Sequence, residues 1–277
     1  MNINAFIRDY QLTIALDGRG VQIKPPMKIA FSCIESTGGE ANKMTVEIYG
    51  LSRENRISLT RDEDEKTHIG VELMVGYKGN LALLFKGSLL RGAFDRQGAD
   101  FITTLDCIDG GNDILWSYTN AVVKGKEEAI NQCVGDMEIT KKGVLPEIKE
   151  LIRPKVLVGN SAMLIKSMMN QDQDFFISRE QAHILGEKEY RKTLAPLVSA
   201  VTGLIGVPQS AKKEMVFSTM LNPMIELGGV IKLQSVQNPK LDGLYKVKSI
   251  STNGESHGDS WFQDITAVRA DDYKEIE

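Results

Sequence analysis

Apolar side chains recur at every second position through much of the first 110 residues, which is the spacing of half-buried β-strands. Gly, Pro and Asn-rich turns separate the alternating segments. Six short strands at this spacing predict a small β-barrel or sandwich. The predicted strands cover residues 10–16, 27–33, 44–48, 71–77, 81–85 and 100–107.

One helix interrupts this first group of strands. Residues 51–60 have helical spacing, and Ser52 supplies an N-cap hydroxyl. We expect Ile57 to face the barrel. The acidic run at residues 62–65 is typical of a solvated loop.

The period changes between residues 113 and 190. Residues 126–137 and 161–170 each place an apolar stripe on one helical face. Two short strands follow at residues 175–177 and 182–185, joined by a polar turn. This segment predicts a small α+β unit inserted after the first group of strands.

Strands return after residue 190, and they predict a second small β module. Both modules share one rhythm of strand, short turn, strand, hairpin and long strand, a weak internal repeat. The strands cover residues 215–221, 230–234, 244–250 and 260–268. The predicted turns are Asn222-Pro223, Gly228-Gly229, Asp242-Gly243 and Asn253-Gly254.

The chain therefore divides into four predicted parts, and its fold class is α+β, mainly β. A first β-barrel module covers residues 1–112, an α+β insertion domain residues 113–190, and a second β-barrel module residues 191–270. An acidic tail covers residues 271–277 and holds four acids and one base. We expect this tail to be disordered, with a tether to a neighbour as the alternative.

Charge and composition exclude several classes of protein. With 33 basic and 37 acidic side chains the net charge is −4, so no general attraction to nucleic acid or an anionic membrane is predicted. Arg8 and Asp9 interrupt the place of a signal peptide, which predicts a protein that stays in, or acts from, the cytoplasm. The uncharged stretch at residues 193–211 contains Pro and polar residues, so no membrane insertion is expected.

The sequence predicts neither a metal site nor a cofactor. Cys33, Cys107 and Cys133 lie in separate segments without a CxxC motif, which favours buried thiols over a disulfide or zinc site. The three histidines lie in three different modules. Phosphate-binding, dinucleotide-binding, zinc-protease and nucleophile-elbow motifs are absent.

Two further clusters contain residue types used in catalysis or cation binding. The string His257-Gly258-Asp259-Ser260 has all three triad residue types, but four consecutive residues favour a hairpin turn over a relay. Asp106 and Asp109 form half of a cation loop, or else Asp109 starts a Gly-Gly turn at a strand end. The 37 acids also allow many carboxylate pairs for glycoside chemistry, and nothing singles one out.

Several strings occur in an order that resembles one known family. In the first module they are residues 42–56 (NKMTVEIYGLSRENR), Val75-Gly76-Tyr77, Phe85-Lys86-Gly87 and residues 105–110 (LDCIDG). In the last module they are residues 202–209 (TGLIGVPQ), 220–223 (MLNP), 243–247 (GLYKV) and 257–261 (HGDSW). Together they resemble the baseplate hub family of contractile-tailed bacteriophages, over residues 40–268.

The resemblance implies a structural virion protein. It implies a homotrimer of two-barrel subunits, a pseudo-sixfold ring between a sixfold tail tube and a threefold central spike. The implied partners are the tail tube protein, the central spike protein, the tape-measure protein, and DNA in transit through an axial channel. The implied location is the baseplate of the virion tail, after synthesis in the cytoplasm of the host bacterium.

The resemblance also marks residues as structural or interface elements, with no catalytic, cofactor or metal residue among them. The marked residues are Tyr49, Gly76, Tyr77, Gly87, Asp109, Gly110, Gly206, Pro208, Gln209, Asn222, Pro223, Gly243, Tyr245, Gly258 and Trp261. Residues 198–207 are apolar enough to predict either a subunit interface or a core strand.

Three other functions stay open at this point. One is a cell-wall hydrolase of the tail tip that uses acidic residues between barrel and insertion. Another is a hub or tube protein of a contractile injection system that is not a phage. A tube or distal-tail protein with related barrels is also open.

Overall fold

Most of the chain is β-structure with four short helices. The computed structural model describes residues 7–16, 19–146, 151–211 and 213–276, and leaves the side chains of residues 151–153 and 211 undescribed. The strands of the first half are β1 Arg8–Leu16, β2 Arg19–Ile23, β3 Ile29–Ser36, β4 Lys43–Tyr49, β5 Gly70–Tyr77, β6 Asn80–Gln97, β7 Asp100–Ile108 and β8 Tyr118–Gly125. Those that follow are β9 Lys141–Lys142, β10 Leu151–Asn160, β11 Gln173–Ser178, β12 Gln181–Gly186, β13 Glu189–Arg191, β14 Leu197–Val198, β15 Leu204–Ala211, β16 Glu214–Met220, β17 Val230–Leu233, β18 Gly243–Glu255, β19 Trp261–Arg269 and β20 Lys274–Ile276. The helices are α1 Arg53–Leu59, α2 Gly111–Trp116, α3 Lys126–Gly135 and α4 Ser161–Met168, with a 3₁₀ turn at Pro239–Leu241.

One sheet joins the two halves of the chain. Its path runs β15-β16-β19-β18-β3-β4-β7-β6-β5-β1-β2, and β17 pairs with both β18 and β14. The mainly β fold class is confirmed, but the two predicted β-barrel modules are not, because the described strands of the single chain form this open sheet and do not close. The join is the pairing of β18 with β3, where alternating strands of both halves meet in register.

The sheet contains the same strand order twice. In the first half the order is β3-β4-β7-β6-β5, and in the second it is β15-β16-β19-β18-β17. In each unit a hairpin comes first along the chain, and a three-stranded meander then pairs its last strand with that hairpin. The internal repeat expected from the sequence is therefore present in the topology.

The insertion builds its own small core. β8 and β10 form a two-stranded ribbon, and β11, β12 and β9 form a second small sheet. Helices α3 and α4 bury Ile130, Cys133 and Ile165 against these strands, as their helical spacing predicts. The outward side of the ribbon is also apolar, with Val122 and Val156 more than half exposed.

Two local expectations are corrected by packing. Ser52 does cap α1, and its hydroxyl accepts from the amide of Asn55, but Ile57 is exposed and Leu59 faces the core instead. Asn253-Gly254 is not a turn, since it lies inside β18. Gly254 is needed there because a Cβ would lie 2.2 Å from the Phe31 ring.

The end of the chain is also more ordered than expected. β20, within the acidic tail, pairs in parallel with β13, so residues 274–276 are not disordered. In the uncharged stretch Val198 is buried, Val201 is 95% exposed, and β15 is an outer strand of the sheet. Cys33, Cys107 and Cys133 are free and buried, as predicted.

Candidate functional site

The central strands present one face that is partly exposed and largely polar. Since side chains alternate along a strand, the positions opposite the buried ones share this face. Their pairing across β16, β19, β18, β3, β4 and β7 makes the face continuous. We call it the hydroxyl face; it contains Ser32, Thr45, Thr104, Asp106, Ser218, Ser249, Ser251, Asn253, Asp264 and Thr266, and also Ile34, Lys43, Glu47, Val216 and Phe262.

The carboxylates of the hydroxyl face accept hydrogen bonds from their neighbours. The Thr45 hydroxyl donates to Asp106 at 2.8 Å, and the Ser218 hydroxyl donates to Asp264 at 2.5 Å. Arg91 lies 3.6 Å from Asp106 at one margin. A shallow depression of about 270 Å³ lies at its centre, beside Asn253. The face is therefore partly exposed, and its Asp106 and Asp264 carboxylates lie beside small hydroxyl side chains.

A second polar region, which we call the charged junction, lies where the insertion meets both halves of the sheet. Asp109 follows the end of β7 and is only 2% exposed. Its carboxylate accepts from the backbone amides of Arg179 and Glu180 at 2.5 and 2.8 Å. Both of these residues have positive φ, 55° and 60°, at the turn between β11 and β12. The turn holds a strained backbone against one buried carboxylate.

The side chains of this turn extend the charged junction in two directions. Glu180 forms an ion pair of 2.8 Å with Lys86 on β6. Arg179 donates to Glu226 at 2.7 Å and to the carbonyl of Pro223, both in the loop before β17. The junction therefore ties the insertion to both repeated units.

Arg191, at the end of β13, is the last member of the charged junction. It donates to Glu226 and, at 2.7 Å, to Nε2 of His183. Burial and the nearby Arg191 lower the pKa of His183 to about 3, so its ring is neutral. Burial raises the pKa of Asp109 to about 7 against the effect of its two amide donors. Burial also raises the pKa of Glu35 to about 7, although Arg179 and Arg191 act in the opposite direction.

A cleft between the repeated units gathers residues that the resemblance marked. Gly76, Tyr77, Asn222 and Pro223 line a space of about 290 Å³, although they come from opposite halves of the chain. The Tyr77 hydroxyl is buried there without a hydrogen-bond partner. Gly76 is required because a Cβ would lie 2.1 Å from the carbonyl oxygen of Asn80.

The other marked residues lie in several places. Gly87 packs on the backbone of Asp109, and Gly110 on Ile177, so both border the charged junction. Gly258 and Trp261 surround the guanidinium of Arg8, which donates to the Gly258 carbonyl and lies 5.6 Å from the Trp261 ring. The remaining residues do not join either group. The Tyr49 hydroxyl donates to Glu47, and the Tyr245 hydroxyl donates to the Leu241 carbonyl. Gly243 begins β18, and Gly206, Pro208 and Gln209 lie on β15.

The described residues offer no assembled catalytic or metal site. Asp106 lies on the hydroxyl face and Asp109 in the charged junction, so they do not share a cation. The imidazole of His257 contacts the neighbouring Ser256 in the loop between β18 and β19. Across the described part of the chain, no three His, Cys, Asp or Glu side chains are grouped to hold a metal ion. None of the described helices is long and apolar enough to cross a membrane.

Sequence comparison now decides the family. The family model for baseplate hub gp41 matches residues 10–267 of the chain. This chain belongs to the baseplate hub gp41 family. Baseplate hub proteins are structural parts of a phage tail, so the family assigns the chain a structural role rather than an enzymatic one. A comparison with curated proteins gives no match.

Solved structures share the fold at low sequence identity. The prophage MuSo2 43 kDa tail protein from Shewanella oneidensis is 9% identical, with a TM-score of 0.64 over 94% of this chain and 97% of that one. A tail protein from Neisseria meningitidis is 7% identical, with a TM-score of 0.63 over 96% and 99%. A type VI secretion system component from Escherichia coli is 9% identical, with a TM-score of 0.63 over 92% and 76%. The hub fold of this chain is that of tail proteins.

Sequence patterns did not find most of the charged junction. Arg179 occurred only as part of a predicted turn, and Glu35, Arg191 and Glu226 were not singled out. Their partners are distant in sequence, so no local spacing marks them. The one available signal was Asp109 before two glycines, which the resemblance to the hub family had marked.

Proposed function

We propose that this hub protein is a homotrimer that joins the sixfold tail tube to the threefold central spike. The observation that carries the proposal is the repeated strand order within one sheet. Three copies of a chain with two equivalent units present six equivalent units around one axis, which suits a sixfold partner. The same three copies present three insertions, which suits a threefold one.

The hydroxyl face supports an axial channel. We propose that it lines the passage for the tape-measure protein and then for DNA. Lys and Arg clustered on such a wall would hold the phosphates of DNA, whereas acidic and hydroxyl side chains do not. The carboxylates of Asp106 and Asp264, beside small hydroxyl groups, are suited to a surface that lets a polyanion pass.

Barrel closure then belongs to the assembly. The open sheet of one chain leaves unpaired edges, and unpaired edges are protected when copies close into a ring. We keep the division at residues 112, 190 and 270 as part of the proposal, with the marked residues as structural and interface elements. Spike, tube and tape-measure proteins are the proposed partners, in a baseplate assembled after synthesis in the host cytoplasm.

A second candidate is the same role in an injection machine that is not a phage. The similarity to a type VI secretion component favours it, since that protein is described as similar to the bacteriophage T4 tail proteins gp27 and gp5. Both candidates predict the same architecture for the chain. Co-purification with a tail tube protein or with a secreted spike separates them.

The mass of the purified protein in solution tests the proposal. Light scattering should give a species of about 92 kDa, three times 30.7 kDa. Electron microscopy of that species should show a ring with a central channel. A protein that stays monomeric, both alone and with a candidate spike, would contradict the proposed trimer.

A further inference from the structure

The two repeated units agree residue by residue, not only in strand order. The Leu89 amide donates to the Ile69 carbonyl at 2.8 Å, and the Val247 amide donates to the Gly229 carbonyl at 2.9 Å. Leu89 is paired with Cys107, and Val247 with Ala267. A β-bulge follows each pair at once, before Arg91 in one unit and before Ser249 in the other. Leu89 and Val247 are therefore equivalent positions.

The hairpins extend the same equivalence. Met44 lies opposite Cys107, and Met215 lies opposite Ala267. Ser32 in turn lies opposite Thr45, as Gln209 lies opposite Val216. Counting from these pairs, Ser32 corresponds to Gln209, and Asn253 on β18 corresponds to Asp95 on β6.

The seam inside the chain shows how one unit attaches to the next. The last part of β18 pairs antiparallel with β3, and Asn253 lies opposite Ser32. The equivalent strands at the outer ends of the two units are β6 and β15. Within the described chain, β15 pairs only with β16, and residues 93–97 of β6 pair only with β7. Each of these strands therefore has one edge without a partner strand.

The two free edges also end at matching positions. Ile250 lies opposite Glu35 in the internal seam. At the equivalent position on β6, Gly92 is already bonded to the backbone of Arg61 in both directions, at 3.0 and 3.1 Å. A strand added to β6 must therefore end at residue 93. β15 ends at the matching position, Ala211.

We propose that β15 of one copy pairs antiparallel with residues 93–97 of β6 in the next copy, with Gln209 opposite Asp95. This inference rests on the proposed trimer and names its contact. The occupant of each free edge is a second copy of this chain, because the seam inside the chain already shows a unit of this shape joining that edge. Hydrogen bonds of the added ladder remove both edges from solvent.

The side chains at the proposed seam suit this register. Ser32 and Asn253 are uncharged polar neighbours on the hydroxyl face. Gln209 and Asp95 take their places with an amide that donates and a carboxylate that accepts. The hydroxyl face therefore continues across the seam, with Arg91 of β6 paired to Asp106 beside it.

Disulfide cross-linking tests the register. We would prepare D95C and Q209C separately, mix them under mild oxidation, and analyse them on non-reducing gels. Directly opposed residues of an antiparallel pair have Cα atoms about 4.5–5.5 Å apart, within the roughly 4.4–6.8 Å that a disulfide joins. The native thiols are buried, which limits background. Within one chain the two positions are seven strand spacings apart in sheet order, roughly 34 Å along the sheet at about 4.8 Å per spacing, so a bond must join two copies.

The mixture should give a cross-linked dimer, and D95C/Q209C in one chain should give a covalently closed trimer. Neither single variant should cross-link alone. The control pair D95C with V207C, two residues out of register on the same strand, should react at least tenfold more slowly. Light scattering of the unmodified protein runs beside these tests.

The outcomes separate this inference from the proposed function. A trimer of about 92 kDa without the D95C and Q209C cross-link overturns the seam and leaves the trimeric hub standing. A stable trimer in which the out-of-register control reacts faster also overturns the register. A monomer without cross-links contradicts both the seam and self-assembly of the hub.

Discussion

The ends of β7 and β19 are equivalent in the repeat, yet they have opposite surroundings. Counting from the equivalent Cys107 and Ala267, Asp109 corresponds to Arg269. Asp109 is 2% exposed under the strained turn of the insertion. Arg269 is exposed and pairs with Asp271 at 2.5 Å. The insertion follows only the first of these strands, and it accounts for the difference.

This difference shows what an insertion does to a strand end. At β19 the charges stay in water, where an ion pair contributes little to stability. At β7 the same position is desolvated, so its carboxylate depends on backbone donors and on the charges around it. The charged junction is therefore where we expect small changes of sequence to have large effects.

The largest effect is expected for Asp109→Ala. The amides of Arg179 and Glu180 would be left without their acceptor in a buried place. At about 1–3 kcal/mol for each buried donor without a partner, the two amides give a loss of roughly 2–6 kcal/mol in the free energy of unfolding. Denaturant titration measures it.

The equivalent strand end supplies the matched control. Arg269→Ala removes an exposed ion pair and should cost less than about 1 kcal/mol. If both variants lose the same amount, the contrast between the two strand ends is wrong.

The sequence predicts best those strands whose pattern of buried and exposed residues is set by near neighbours along the chain. Strands β1, β3, β4, β5, β7 and β19 alternate over most of their length, because one side packs in the core and the other faces solvent, and they were predicted. β6 and β18 were predicted too short, since each contains a bulge that breaks the alternation. β15 was uncertain because Gly206 and Pro208 interrupt an outer strand.

The insertion was predicted less well for physical reasons. β8 and β10 are apolar on both sides, as exposed Val122 and Val156 show, so they have no half-buried alternation. Helix α2 has six residues, too few for a helical period to emerge. The pair Arg179–Glu226 joins residues 47 positions apart, which leaves no spacing to detect. The joining of the strands into one open sheet likewise depends on pairing between residues far apart in sequence, such as β18 with β3.

A smaller loss is expected for Glu226→Gln. Glu226 accepts from both Arg179 and Arg191, and an amide would remove the carboxylate nearest to one buried and one partly buried guanidinium group. Breaking a buried pair costs about 3–5 kcal/mol, but Glu226 is 26% exposed, so we expect roughly 2 kcal/mol by denaturant titration. The control is Glu54→Gln, in the exposed pair with Arg19, which should change stability little. Equal losses in the two variants would show that burial of the junction does not matter.

The charged junction should also make stability depend on pH. Glu35 has a pKa of about 7 in the folded protein, above its ordinary value of 4.5. The folded state therefore keeps a proton that the unfolded state has lost, and stability falls as pH rises from about 4.5 to 7. Each such group contributes up to about 1.4 kcal/mol per pH unit.

Glu35→Gln isolates this contribution. Unfolding titrations at pH 5 and pH 8 should show a smaller pH dependence in the variant than in the parent protein. Asp109, also raised to about 7, keeps part of the slope in both. An unchanged slope would mean that Glu35 does not hold a proton in the folded state.

The smallest effect tests the strained turn itself. Glu180 has φ of 60°, which Gly adopts freely and Ala does not. Glu180→Gly and Glu180→Ala both remove the ion pair with Lys86, so their difference reports the backbone alone. We expect the Gly variant to be more stable than the Ala variant by about 1 kcal/mol. At Gln181, which opens β12, the order should reverse, because Gly weakens a strand. If Ala is the better residue at both positions, the turn carries no strain, and the two strand ends differ only in burial.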